Sequence, residues 1–220
     1  MKNMFSDKAS IIARQMLSNP GRKWVLRDFV GASRLSLGMA QGVIAALQDM
    51  GCLERIKKGP LSYTRLSDTE LLISQWITVY RFSMNTIYTY YTPHTDFLKR
   101  FKTAVPADKY ALTLHSGANL KTGFVNIEDS YIYLRLENWA QELLRIREKL
   151  GLKKLAQGGN VHLIRPFYRN TGFYGSRAVK GLRVVSNLQL YLDLYNFQPR
   201  GREHAQYLKE TLQREGETLA

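Results

Sequence analysis

The chain is short of cysteine, of acidic side chains and of long apolar runs, and each shortage excludes something. One cysteine, Cys52, in 220 residues rules out an intramolecular disulfide and fits a reducing compartment. Placed just after Gly51, it reads as a small buried filler. No apolar run approaches the roughly 20 residues needed to span a bilayer. The opening MKNMFSDKAS has no apolar stretch before charge resumes, so a cytoplasmic protein without a membrane partner is expected. The four histidines, His94, His115, His162 and His204, stand far apart and form no HExxH motif. With a single thiol beside them, no zinc site and no other metal or cofactor is expected. Catalytic text is missing too. Ser116 lies in no GxSxG, and GANLKTG (117–123) lacks the spacing of a phosphate-cradling GxxxxGK[ST] loop. A magnesium nuclease needs a carboxylate and then Glu-x-Lys on the next strand. Asp129 precedes a predicted strand, but Arg135 stands where that pair belongs. No catalytic residue is assigned.

Basic side chains are abundant. Lysine and arginine number 32 against 18 acids, for a net charge of +14. Such an excess points to a polyanion, with nucleic acid first and an anionic membrane surface second. Residues 1–66 hold 11 basic against 4 acidic side chains, and residues 67–220 hold 21 against 14. The excess is +7 in each part, so its density more than doubles in the shorter, N-terminal one.

The stretch from Lys23 to Leu66 organises that N-terminal part. WVL (24–26) is a short apolar strand seed, RDFVGA one compact helix, and SRL a turn that places Ser36 as N-cap of a second helix, Leu37 to Met50. In it Ala40, Val43, Ile44, Leu47 and Met50 recur at helical spacing and form one apolar stripe. Gly51 follows as the left-handed stop. LERI and SYTRL then flank KKGPL, a hairpin with a Gly-Pro turn. An earlier helix, Ser6 to Leu17, with Ser6 as cap and Ile11, Ile12, Met16 and Leu17 on its apolar face, ends at Asn19-Pro20-Gly21. This order is that of a winged helix-turn-helix, whose second helix lies in the major groove. Ser36, Gly38, Gln41, Gly42, Ala45 and Gln48 face away from the stripe. Arg34 and Ser36 are expected to position the helix on phosphates, and Gln41 to read an adenine edge. Gly38 and Gly42 keep the face small. Arg55, Lys57 and Lys58 are offered by the hairpin to phosphates or a minor groove. The same fold also serves as a protein-docking module, so that alternative stays open.

After the hairpin, Ser67 and Glu70 have capping-box spacing and open a helix, which is expected to link two domains. From Phe82 onward strands and helices alternate. NTIYTYY (85–91), KYALTL, SYIYLRL (130–136), NVHLIRP and GLRVVS read as strands. Helices are expected from Thr92-Pro93, in LENWAQELLRIREKLGL with Gly151 as stop, and in LQLYLDLYNF and GREHAQYLKETL. HSGANLKTG reads as a short helix or loop. The last residues, REGETLA, are expected to fray. In LQLYLDLYNF the positions Leu188, Leu190, Tyr191, Leu192, Leu194 and Tyr195 are too many for one face, so this helix is buried on both sides. Gln189 and Asp193 share a side four residues apart.

That last region carries the most recognisable text. Val185, Ser186, Gln189, Leu190, Tyr191, Asp193 and Leu194, then Arg200, Gly201, Glu203 and Ala205, resemble the closing signature of AbiEi-family antitoxins. Gly159-Asn160-Val161 and Tyr110-Ala111-Leu112-Thr113 are similar to that family as well. The resemblance implies a transcriptional regulator of a type IV toxin–antitoxin system that binds inverted repeats of double-stranded DNA in its own promoter; a homodimer on that DNA is one arrangement, and the sequence leaves the oligomeric state open. It further implies a toxin countered through function, without a stable protein complex.

The sequence therefore predicts a mixed α+β or α/β chain in three parts. Residues 1–66 form a winged helix-turn-helix, 67–82 a linker helix, and 83–220 a small α/β domain. A nuclease or nucleotidyltransferase relative targeted by the winged helix, with a degenerate site, is the alternative from the enzyme class.

Overall fold

The structure, a computed structural model, describes residues 4–32, 35–58, 61–126 and 128–219. The chain divides into two units, one ending at Tyr80 and one running from Arg81 to Leu219.

The first unit contains α1 (Ser10–Ser18), α2 (Leu26–Ala32), α3 (Leu37–Asp49), β1 (Leu53–Lys58), β2 (Leu61–Leu66) and α4 (Thr69–Val79). Helix α3 forms where its cap and stripe require. The Ser36 hydroxyl accepts a hydrogen bond from the Met39 amide at 3.2 Å, and Ala40, Val43, Ile44 and Leu47 are buried. Gly51 then takes φ +78°, the conformation that lets the chain turn back into β1. Strands β1 and β2 pair antiparallel from Leu53↔Leu66 to Lys58↔Leu61. The strand seed at 24–26 contributes only one bridge, Trp24 to Thr64, with both backbone bonds at 2.8 Å. Trp24 stacks on Phe29 beneath it.

In this unit two helix starts differ from expectation. Helix α1 begins at Ser10 and has no side-chain cap. Ser6 instead accepts the Ser10 amide through its backbone carbonyl, and the Ser10 hydroxyl donates to the Asp7 carbonyl, so a turn precedes the helix. Helix α4 is capped by Asp68, not Ser67. The Asp68 carboxylate accepts the Leu71 amide at 2.8 Å, and the Ser67 hydroxyl donates to the Gly51 carbonyl. A carboxylate is the stronger acceptor at a helix N-terminus. Helix α4 buries Leu72, Ile73 and Trp76, and Trp76 stacks on Phe5 and lies under the Arg14 guanidinium. The segment expected as a linker thus contributes core to the first unit.

The second unit opens with a 3₁₀ turn, Phe82–Met84. It continues through β3 (Thr86–Tyr90), α5 (Phe97–Ala104), β4 (Tyr110–Leu112), α6 (Leu114–Thr122), β5 (Ser130–Leu134) and α7 (Trp139–Lys149). Then follow β6 (Val161–Arg165), β7 (Arg177–Val179), β8 (Leu182–Val184), α8 (Asn187–Tyr195) and α9 (Gly201–Arg214). Six strands form one mixed sheet in the order β3-β6-β5-β4-β8-β7. The β5–β6 and β4–β8 pairs are parallel, and the rest are antiparallel. The architecture is mixed α+β. Both sheet faces are covered, because register sends alternate residues to opposite sides. Tyr110 meets Phe101 of α5 and Tyr88 meets Trp139 of α7 on one face. On the other, Tyr133 meets Asp193 of α8 and Tyr131 meets Phe197 after it.

Helix α5 starts at Phe97 rather than at Pro93. The Asn160 side chain accepts the Thr92 amide and donates to the Thr92 carbonyl, and this clamp holds residue 92 against the loop before β6. Gly159 permits that approach. Its φ is +149°, and a Cβ there would collide with the Tyr90 carbonyl. The described residues of the tail, expected to fray, are held in place. Glu217 pairs with Lys121 at 2.7 Å and Arg177 at 3.1 Å, Asn187 donates to the Thr218 carbonyl, and Leu219 is buried. Strand β7, which propensity does not mark, pairs with β8 as a hairpin at the sheet edge.

Helix α8 is buried along its whole length from Asn187 to Leu194. Its polar seam is satisfied inside the unit. Asp193 accepts from Gln189 Nε2 at 2.8 Å, from the Tyr133 hydroxyl at 3.0 Å, and from the Thr113 hydroxyl. The signature residues Thr113, Gln189 and Asp193 therefore meet in one buried knot.

Candidate nucleic-acid interface

Helix α3 turns its apolar stripe inward against α1, α2 and β1 and leaves a small, uncharged face outside. Ser36, Gly38 and Gln41 are exposed and Gly42 is half-buried. The Ser36 hydroxyl is committed to the cap, which leaves Gln41 as the long polar side chain nearest the helix start. Gly38 has open space around it.

The hairpin supplies the charge. Arg55 and Lys57 are exposed and, two residues apart on β1, share one face of the ribbon. Arg55 Nε donates to Ser62 Oγ at 3.1 Å across the pair, which fixes the root of the guanidinium. On the opposite face Arg65 binds Glu54 at 2.8 Å. Arg34 lies outside the described residues. Lys58 ends β1, and its side chain also lies outside them.

Two cations near this hairpin were not singled out from sequence. The Arg22 guanidinium stacks over Trp24 at 4.1 Å and contacts Asp28 at 3.6 Å, and the Lys23 ammonium lies 5.1 Å from the Tyr63 ring centre. Both residues are exposed. Their signal was the Arg-Lys-Trp run itself, because a tryptophan pinned to β2 through Thr64 brings its neighbours to the hairpin.

The second unit holds its titratable groups in structural clusters. His115 and His204 are buried and stacked, with Nδ1 atoms 2.8 Å apart. His204 Nε2 bonds the Thr122 hydroxyl at 2.7 Å, and His115 Nε2 bonds the Pro199 carbonyl at 3.2 Å. Burial chiefly, then the neighbouring His115, pushes His204 down to about 4. Burial likewise lowers His115. Across three adjacent strands, Thr89, His162 and Tyr131 form a second row. Tyr131 stacks on His162, the Thr89 hydroxyl meets His162 Nδ1 at 3.1 Å, and Asp129 lies 3.6 Å from His162 Nε2. Asp129 also takes the Tyr131 hydroxyl and lines an open cleft of about 720 Å³ with His94, Ser116 and Asn160. Among the described residues, no three His, Cys, Asp or Glu side chains gather to hold a metal ion. No helix among them is long and apolar enough to cross a membrane.

No curated protein and no solved structure matches the chain. A family described as "Transcriptional regulator, AbiEi antitoxin, Type IV TA system" matches residues 65–213. The match takes in α4 and nearly all of the second unit, including the Thr113–Gln189–Asp193 knot, and it begins after α3 and β1. It covers well over half of the 220 residues, and the chain therefore belongs to the AbiEi antitoxin family of transcriptional regulators.

Proposed function

We propose that the chain is a sequence-specific DNA-binding repressor of its own promoter and the antitoxin of a type IV pair, acting in the cytoplasm. The first unit is read as a winged helix-turn-helix. One observation carries this reading: a capped helix with a small uncharged outer face stands directly before a two-stranded ribbon that exposes Arg55 and Lys57. Such a helix fits the major groove, and such a ribbon fits phosphates. The family is regulatory, which supports a transcriptional role, and the excess of 14 positive charges favours a polyanionic target. Inverted repeats would be met by a two-fold pair of chains, each on one half-site. The toxin would be countered through function, without a lasting complex.

The deciding experiment is fluorescence anisotropy against the chain's own upstream duplex and a scrambled duplex, over a range of salt. Selective binding that weakens steeply with salt is expected. Equal, weak binding to both duplexes would overturn the reading. In the same assay Arg55→Ala with Lys57→Ala should weaken binding to every sequence and reduce the salt slope by about 1 for each phosphate no longer neutralised. Gln41→Ala should instead relax preference at one position by about 1–3 kcal/mol. A double variant that binds as wild type would remove the ribbon from the interface.

A further inference from the structure

The first turn of α3 has two features that packing within its unit leaves unexplained. Leu37 is 51% exposed and Met39 39% exposed, outside the stripe that packs the helix. Between them Gly38 sits in helical backbone, where an added Cβ would meet none of the described residues within 4 Å. Glycine is a poor helix former, and among the described residues nothing favours it over alanine at this place. A close approach from outside does. By helical geometry Leu37 and Met39 flank the outward line of Gly38, Gly42 and Ala45 on opposite sides. No charged residue occurs in α3 before Asp49.

We infer that Leu37 and Met39 read thymine methyl groups in the major groove, and that Gly38 lets the helix backbone come close to the base edges. This inference rests on the DNA-binding reading of the first unit and names what that site selects. Charge complementarity identifies the occupant. The exposed Arg22, Lys23, Arg55 and Lys57 suit phosphates, whereas the apolar turn does not. The apolar group that duplex DNA presents in its major groove is the thymine C5-methyl. Two flanking apolar side chains around a glycine therefore select A·T pairs on both sides of the point of closest approach, and Gln41, on the next turn, contributes an adenine contact. A protein partner would bury little through so small an apolar area.

The test begins with selection by the full chain from a pool of random duplexes, which defines the half-site. Each thymine in that site is then replaced by uracil, which removes the methyl group alone. Uracil is expected to weaken wild-type binding about fourfold at each contacted position, the value of one buried methyl. The penalty should vanish at one position for Leu37→Ala and at another for Met39→Ala. Both side chains are exposed, so both variants should melt with wild type. Gly38→Ala should keep or slightly raise the melting temperature while weakening selected-site binding at least tenfold. Tolerance of uracil throughout, a penalty unchanged in both alanine variants, or wild-type affinity in Gly38→Ala would each overturn the inference while leaving DNA binding intact. No enrichment from the pool would overturn the DNA-binding reading and this inference with it.

Discussion

Asp193→Ala is expected to destabilise the second unit by about 3–5 kcal/mol, the cost of leaving one side of a buried polar cluster without its partner. Asp193 is fully buried on α8 and accepts from Gln189 Nε2, Tyr133 OH and Thr113 Oγ1. Those three donors come from α8 itself, from β5 and from the residue after β4, so the carboxylate joins the helix to the centre of the sheet. Alanine would remove the acceptor that these three donors share. Asp193→Asn retains one oxygen and should cost less, about 1–3 kcal/mol, because its amide turns a donor toward another donor. Urea unfolding of the full chain, with the second unit followed through Trp139, measures both variants. A loss below about 1 kcal/mol for alanine would show that the cluster relaxes or admits water. That would remove the energetic account of why these family-signature residues meet.

Acid should destabilise the second unit across a window set by its buried histidines, His115, His162 and His204. His204 is held down to about 4 by burial and by the neighbouring His115, while an exposed histidine in the unfolded chain titrates near 6.5. Between those values the unfolded chain binds a proton that the folded one refuses, so stability falls as the pH falls. The contribution is intact above about pH 6.5, declines through the window, and levels off below about 4, where the folded form also protonates. At about 1.4 kcal/mol per pH unit the full excursion is about 3 kcal/mol for His204, and His115, lowered by burial in the same way, steepens it. Two Nδ1 atoms 2.8 Å apart can share one proton but cannot both carry one. His204→Gln should flatten the profile between pH 6.5 and 4. Glu217 titrates in a separate, lower range. Its hydrogen bond to Lys121 chiefly, with Arg177 adding, holds its carboxyl down to about 2. Its share is present above the ordinary carboxylate value and is lost below it. A stability profile with no slope between pH 6.5 and 4.5 would contradict the histidine account.

The local features that decide elements were legible in the chain. Ser36 before the apolar stripe located α3 and its cap, and strand propensity located β5 and β6, because these signals are local. In two of the misplaced starts a residue far away in sequence holds the expected cap or first turn. Ser67 lost the cap of α4 to Asp68 and bonded Gly51 instead, and Asn160 held Thr92 out of α5. Strand β7 is three residues with weak propensity and exists through its pairing with β8. The C-terminal tail carried no apolar pattern to mark it as ordered, and Lys121, Arg177 and Asn187 fix it from distant parts of the chain.

For the candidate interface the division is similar. Composition and charge spacing by themselves determined a basic N-terminal part, a small outer face on α3, a cationic hairpin, and a polar seam at Gln189 and Asp193. Only the tertiary structure decided that Arg22 and Lys23 join the hairpin, that Leu37 and Met39 stay uncovered, and that Thr113 and Tyr133 complete the seam. The physical reason is range. Propensity, capping and periodicity act within a few residues, whereas a hydrogen bond or a ring contact depends on which distant segments the sheet brings together.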